Sequence, residues 1–530
     1  MPAKRISNPA ADDYRTYVPN PWFEKSSYPS LSPGSGANRF MPALDKVRDR
    51  LPQPFWEGGE SAIEAYWKVW EIAFRNIRPA TAENGFFGDY ADTAFNDCTF
   101  MWDSAFITMF WRYGIRAWDA MGTLENFYGK QHCDGFICRQ LRMSDGFDAF
   151  QRHDPNSTGP NVLPWAEWEY FRNFGDRQRL QKVFPPLAAY TRWFRRNRTW
   201  PDGSHWATGW ASGMDDQPRR SDAFMSTPPE LGQDGFHANF DHGHMSWVDA
   251  CFQAIFANRI LVRMAEVLGI EEQAGEFANE ARFLTEWCNA HLWDEQTGFY
   301  HDRLADGSLV NQVKSIGAYW ALPAGAAPRQ RRQRMIDQLS DEKIFNRAHR
   351  VPSMSADSFG YETEGGYWRG AVWAPTNYMV LRGLTMHGED ALAHEIGINH
   401  LRNVVEAYAE TGTFFENYGP DTFGKGRYRP DFIGWTGVPP VAVLFEYVFG
   451  IRPEAKRRKL IWDVRLLDAH GVSNYPFGSD GNLELKCEKR QSPTDKPVCR
   501  IRSDIPLTVD LRWEGGRETI EIFDGCIQVN

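Results

Sequence analysis

The 530-residue sequence holds no apolar run near the roughly 18 residues that a membrane-crossing helix requires. Its opening, Met1-Pro-Ala-Lys-Arg-Ile-Ser-Asn, lacks the apolar stretch of a secretory signal. The eight cysteines, at 98, 133, 138, 251, 288, 487, 499 and 526, form no close metal-type pairs; even Cys133 and Cys138 have no matching second pair, which argues against zinc. Free thiols in a reducing, cytoplasmic compartment are therefore expected. Net charge is -10 and no long basic run occurs, which argues against a nucleic-acid partner. The single basic cluster, Arg329 to Arg334, falls in an expected helix and reads as a solvated face. Few stretches before residue 450 alternate with a period of two, and no fixed-period repeat is present, so neither an all-β body nor a repeat solenoid is expected.

What is abundant is aromatic: 15% of residues, with 22 Trp. Large rings build cores, and they also stack on the C–H faces of sugars; only position separates the two uses. Helical stripes dominate. Ile63, Tyr66, Trp67, Trp70 and Phe74 recur at three- and four-residue steps, as do Phe252, Ile255, Phe256, Ile260, Leu261 and Met264. Phe184, Leu187, Tyr190, Trp193 and Phe194 form another stripe, with Pro185-Pro186 expected near its start. Further stripes run near 102–118, 274–291, 330–340, 370–384, 390–409 and 437–449. The spacing predicts a mainly α body over 51–452, and many helices separated by Gly- and Pro-rich loops fit a helical toroid around a central pocket, although the periodicity does not itself establish closure of the ring. An irregular arm is expected over 1–50 and a small C-terminal β module over 453–530, where Leu507 to Trp513 and Ile520 to Ile522 alternate around Gly515-Gly516. The stretch from about 200 to 246 has no apolar period but carries Asp, Gly, His and Trp, and reads as a functional loop, a candidate lid.

Two blocks carry the chemistry: Ser212-Gly213-Met214-Asp215-Asp216-Gln217-Pro218-Arg219 and Phe414-Phe415-Glu416-Asn417-Tyr418-Gly419-Pro420-Asp421. Each sets a carboxylate among aromatic, Gly and Pro residues. Glycoside hydrolysis needs one carboxyl group to protonate the leaving oxygen and another to activate water or attack the sugar. Asp in a loop also commonly closes turns, so Asp215 and Asp216 have a structural reading as well, and Arg219 could neutralise one of them. Asp103, after Trp102, could cap the helix it opens or bind substrate. Arg369 could be a buried structural arginine or a fork for sugar hydroxyls or a carboxylate. Trp165, Trp210, Trp368, Trp373 and Trp435 are candidate pocket walls or core rings; Gln140 and Glu167 are weaker candidates. His237, Asp241, His242 and His244 are the cluster to inspect for a metal, though no metal is expected.

Taken in order, Phe100-Met-Trp102-Asp103-Ser-Ala-Phe106, Asn161-Val-Leu-Pro-Trp165-Ala166, Ser212 to Asp216, Tyr367-Trp368-Arg369-Gly-Ala-Val-Trp373 with Asn377-Tyr378, and Glu416-Asn417-Tyr418 resemble glycoside hydrolase family 63. They resemble the family 37 trehalases more distantly. Within family 63 the chain is most similar to the compact bacterial branch near the mannosylglycerate and glucosylglycerate hydrolases. The resemblance covers roughly residues 95 to 450. It implies an (α/α)6 barrel and an inverting, exo-acting α-glycosidase that releases a terminal hexose. It also implies Asp215 as general acid, Glu416 as general base, and Asp103 on the hydroxyls of the terminal sugar. Trp102, Tyr367, Trp368, Arg369, Trp373 and Tyr418, within the same motifs, join the expected substrate site. No cofactor is needed, because two carboxyl groups suffice, and the expected partner is a small carbohydrate. Which sugar and which aglycone stay open.

Two other classes fit a helical toroid. A sugar epimerase would turn the His237–His244 cluster toward the sugar, and a polysaccharide lyase would need a Tyr or His base and would release an ultraviolet-absorbing product. A non-catalytic carbohydrate-binding protein is the third reading; the presence of both Asp215 and Glu416 in their motif settings argues against it.

Overall fold

The computed structural model describes residues 18–37, 41–219, 241–422, 429–523 and 525–529. Its body is helical: α1 (Glu60–Arg75), α2 (Met101–Trp111), α3 (Gly122–Gly129), α4 (Leu163–Phe174), α5 (Arg177–Asn197), α6 (Val248–Leu268), α7 (Gly275–His291), α8 (Arg329–Gln338), α9 (Ala374–Met386), α10 (Asp390–Thr411) and α11 (Pro439–Val448), the last π-wound. None of the described helices is long and apolar enough to cross a membrane. The stripes read from the sequence are the faces these helices bury. In α1, Tyr66, Trp70 and Phe74 are buried, and α2 buries every one of its residues, as a helix enclosed on all sides must.

One stripe is longer than expected. α5 begins at Arg177, capped by Asp176, whose side chain accepts from the Arg179 N–H at 2.9 Å. Pro185 and Pro186 therefore lie inside the helix rather than near its start. The first two turns, Arg177 to Lys182, are mostly polar and carry little apolar period, so the stripe does not show where the helix begins.

Short strands hold the rest of the architecture. β1 (Gln53–Trp56) precedes the body, and β2 (Cys98–Phe100) and β3 (Gln140–Arg142) pair within it. After α11 come β4 (Ile451–Glu454), β5 (Lys459–Asp463), β6 (His470–Phe477), β7 (Gly481–Cys487), β8 (Cys499–Ser503), β9 (Leu507–Trp513) and β10 (Gly516–Ile522), followed by β11 (Gly525–Val529). One sheet has the order β1-β6-β7-β8-β11 and the other β10-β9-β5-β4. All pairs in these two sheets are antiparallel except β9 with β5. β1 joins the C-terminal sheet in the register Gln53 to Ser473 and Trp56 to His470. Segments more than 400 residues apart in sequence thus share a sheet. One continuous apolar core extends from Trp22 to Val529, so body and sheets are packed as a unit.

Most of the tryptophans serve that core. Trp70, Trp111, Trp165, Trp193, Trp320 and Trp462 are all but fully buried in it, and Trp247 in a smaller cluster with Ala207, Ala211, Met245 and Val310. Trp165, expected as a candidate pocket wall, stacks on Tyr378 at 5.4 Å and meets Phe106, Phe256 and Trp320 edge-on. Beside that stack lies a buried polar knot. Glu446 accepts from the Tyr113 hydroxyl at 2.7 Å, from the Tyr378 hydroxyl at 2.9 Å and from Arg112. It fastens the end of α2 to α9 and α11.

Candidate active site

A cavity of about 630 Å³ opens where the N-terminal end of α2 meets the loops after Ser212, Gly366 and Phe414. Asp215 and Glu416 both line it, together with Trp102, Asp103, Trp210, Tyr367, Trp368 and Trp435. Phe100 and Gly213, from the quoted motifs, complete the wall with Phe95, Arg139, Gly159, Pro160 and Phe432, which no sequence signal marks as site residues.

Local structure aims each carboxyl. The turn at Gly209–Ser212 ends at Gly213, whose φ of 74° is left-handed backbone that favours glycine. A Cβ there would also stand 3.3 Å from the Trp102 ring and 3.4 Å from Pro160. The close approach brings Asp215 beside Trp102. Glu416 is held from both sides: its carbonyl accepts from the Trp435 indole at 2.8 Å, and its Oε1 accepts from the Tyr367 hydroxyl at 3.1 Å. Tyr367 takes a φ of 68°, a strained setting for a non-glycine residue and one that clusters at functional sites. A two-way bridge between Val372 and Tyr418 ties the Tyr367 loop to the Glu416 loop.

Asp103 stands in the first turn of α2, yet the helix has no side-chain cap, and Asp103 lines the cavity instead. Arg139 also comes to the wall, because β2 pairs with β3 and the Met101 N–H donates to the Arg139 carbonyl at 2.8 Å. Its Nη1 donates to the Trp210 carbonyl at 2.5 Å. Its buried Nε and the buried indole Nε1 of Trp102 have no hydrogen-bond partner among the described residues. Both side chains line the cavity, with these two nitrogens buried behind its surface.

The other expected site residues stand one step back. Asp216 accepts from the Trp368 N–H at 2.8 Å and lies 3.6 Å from Arg369, which pairs with Glu362 at 2.6 Å. Trp373 lies flat under Trp368, with ring centroids 3.9 Å apart and planes 4° apart, and so fixes that wall from behind. The Tyr418 hydroxyl accepts from the Phe415 N–H. Gln140 is partly buried in β3 and does not line the cavity. Arg219 neutralises neither Asp215 nor Asp216: it is buried between Asp249 at 3.0 Å and Asp302 at 3.1 Å. Glu167 is committed to Arg179 and to the Tyr128 hydroxyl. His242 and His244 pack against Trp200, His237 lies outside the described residues, and no three metal-type ligands converge among the described ones. Positions 220–240 of the expected 200–246 loop lie outside the described residues too.

The carboxyls in and behind the cavity bind protons more tightly than solvated ones. Burial is the main cause at each position. It pushes Asp215 up to about 6, against the opposing pull of Arg139, and Asp216 up to about 7. Glu416 rises to about 7, opposed by the Tyr367 hydrogen bond and helped by the charge of Asp215. Asp103 is raised well above the usual carboxylate range by burial and then by Glu416. Near neutral pH the Asp215–Glu416 pair therefore carries about one proton between its members, the state in which one carboxyl can act as acid and the other as base.

Known proteins share this framework. The model of the mannosylglycerate hydrolase MGH1-like glycoside hydrolase domain matches residues 97–436. The mannosylglycerate hydrolase of Thermus thermophilus is 28% identical over 398 residues, covering 62% of this chain and 89% of its own. The probable mannosyl-oligosaccharide glucosidase of Schizosaccharomyces pombe is 28% identical over 294 residues, 49% of this chain; this chain spans only 34% of that relative. Among solved structures, the GH63 mannosylglycerate hydrolase from Thermus thermophilus in complex with Tris has a TM-score of 0.57 at 22% identity, covering 71% of this chain and 99% of that one. Neutral trehalase from Saccharomyces cerevisiae has a TM-score of 0.53 at 13% identity, covering 67% and 73%. At such identities the structures speak to the fold, which is helix-rich in each case. The domain model spans well over half of the sequence and takes in both carboxylate blocks, and the chain accordingly belongs to the MGH1-like glycoside hydrolase family.

Proposed function

We propose that this glycoside hydrolase removes a terminal α-linked hexose from a small glycoside or oligosaccharide with inversion, in a helical toroid of the (α/α)6 type, in a reducing cytoplasmic compartment. The observation that carries the reading is the placement of Asp215 and Glu416 in one tryptophan-lined cavity. Asp215 gives its proton to the glycosidic oxygen as the bond to the anomeric carbon breaks. Glu416 takes a proton from water as the water oxygen bonds to the opposite face of that carbon. Trp102, Trp210, Trp368 and Trp435 hold the ring, and Asp103 and Arg139 take its hydroxyls. All eight cysteines are free, which supports the compartment. Relatives that act on mannosylglycerate and on mannosyl-oligosaccharides make those the first substrates to try.

Burial raises both carboxyls into the same range near neutrality. The roles of acid and base are therefore taken from the family motif rather than from the resting position of the proton. Activity is expected to follow a bell in pH. Below about 6 both carboxyls hold protons and the base is lost; above about 7 both are ionised and the acid is lost. A kcat/KM profile that stays flat across this range and about two pH units to either side would contradict the pairing. The stereochemistry is tested by proton NMR of fresh product: the β-anomer of the released hexose should come first, and an initial α-anomer would overturn inversion.

A further inference from the structure

A second cleft, of about 1380 Å³, lies between the last turns of α4, α6 and α9 and the strands β4, β5 and β9. No residue lines both it and the carboxylate cavity. α9 starts directly after Trp373, which backs that cavity, and ends at Thr385 and Met386 in this cleft; its 13 residues span about 20 Å. The two openings are thus at opposite ends of the body.

Seven of the sixteen lining residues are Arg or Lys and two are Glu. Part of that charge has a structural use, since cations suit the C-terminal ends of helices and several have carboxylates. Arg172 and Arg382 share the buried Glu169, at 2.9 and 3.0 Å. Arg263 is different. Its guanidinium makes no hydrogen bond or ion pair with a described residue, and the charges around it are the guanidinium groups of Arg382, Arg259 and Arg172 and the carboxylate of Glu266. On the cleft wall Arg263 thus stands with Arg172 and Arg382 beside Glu266 and the buried Glu169, with Arg259 behind the wall, and Lys456 and Glu454 also line the cleft. The wall beside them is aromatic: Trp168 and Phe171, with ring centroids 5.2 Å apart. Guanidinium forks match phosphate oxygens, and an indole edge or face on a cleft wall accepts a pyranose ring.

We propose that this cleft binds a phosphorylated monosaccharide, with the phosphate on Arg263 and Arg382 and the sugar against Trp168. Isothermal titration of the full chain with glucose 6-phosphate, inorganic phosphate and glucose tests it. Glucose 6-phosphate should bind with a Kd of about 1 mM or tighter. Inorganic phosphate should compete but bind more weakly. Arg263→Gln should weaken glucose 6-phosphate at least about tenfold, the scale of a lost charge-assisted contact, and leave kcat/KM for hydrolysis unchanged. Lys456→Gln, at an exposed turn, should shift affinity in the same direction. Binding that Arg263→Gln does not weaken would place the ligand elsewhere, the carboxylate cavity included, and would overturn the proposal. So would a wild-type chain that shows no binding, and phosphate binding as tightly as the sugar phosphate would overturn the sugar assignment.

Discussion

Asp215→Asn is expected to lower turnover of an unactivated glycoside by about 10²–10⁴-fold, and Glu416→Gln by at least as much, since each removes one half of the proton traffic. The two losses should separate on a glycosyl fluoride, whose leaving group needs no proton. There Asp215→Asn should regain most of its activity and Glu416→Gln should not. If Glu416→Gln is the variant that recovers, acid and base are exchanged. Either variant within tenfold of wild type on the unactivated substrate would remove that residue from the chemistry. Folding gives a control. Both carboxyls have folded-state pKa values above their unfolded ones, so their protonated forms favour the fold below the usual carboxylate range, and that benefit is lost as pH rises through about 6 to 7. At a pH about one unit above that range, wild type carries the burden of ionising them in a poorly solvated cavity and the neutral amides do not. The variants should therefore melt no lower than wild type there, and a sharp drop in Tm would mean that lost activity reports lost structure.

Why these two positions can be read from the sequence, and others cannot, follows from how each is placed. Asp215 and Glu416 sit in blocks where Gly, Pro and aromatic residues crowd a carboxylate, a setting a solvated turn does not need. Trp165 and Trp368 carry the same local signature, yet one is a core ring stacked on Tyr378 and the other lines the cavity. A stacking platform and a core ring differ only in what faces them across space. Arg139 has no local signal at all. It reaches the wall through the pairing of β2 with β3, which are distant in sequence and which no periodicity links. Similarly, β1 alternates too briefly to announce a strand, and its partner β6 lies in the C-terminal part of the sequence. The helices are legible because of their buried apolar stripes, and β7 to β10 because they alternate, whereas β6 buries residues without a period of two. Pro185 and Pro186 show the limit of that reading: an apolar stripe marks where a helix is buried, not where a solvated first turn begins.

Glu446→Ala should destabilise the fold by about 3–5 kcal/mol, because it leaves the Arg112 guanidinium buried without its counter-charge. The site is fully enclosed, with side-chain exposures of 1% for Arg112 and 2% for Glu446. Water cannot replace the lost carboxylate, and the hydroxyls of Tyr113 and Tyr378 lose an acceptor too. The double variant Arg112→Met with Glu446→Leu should recover much of the loss, since replacing a buried pair by apolar groups of similar volume is often near neutral. Thermal melts of the wild type, the single variant and the double variant check this, and a single variant within about 1 kcal/mol of wild type would show that the knot contributes little. Activity is the sharper readout. The knot holds Tyr378, Tyr378 stacks on Trp165, and α9, which carries Tyr378, begins at the ring that backs Trp368. If the double variant regains stability but not kcat, the Arg112–Glu446 pair is kept for the orientation of the cavity wall. If it regains both, the pair is one packing solution among several, and the geometry of the carboxylates is set by the loops alone.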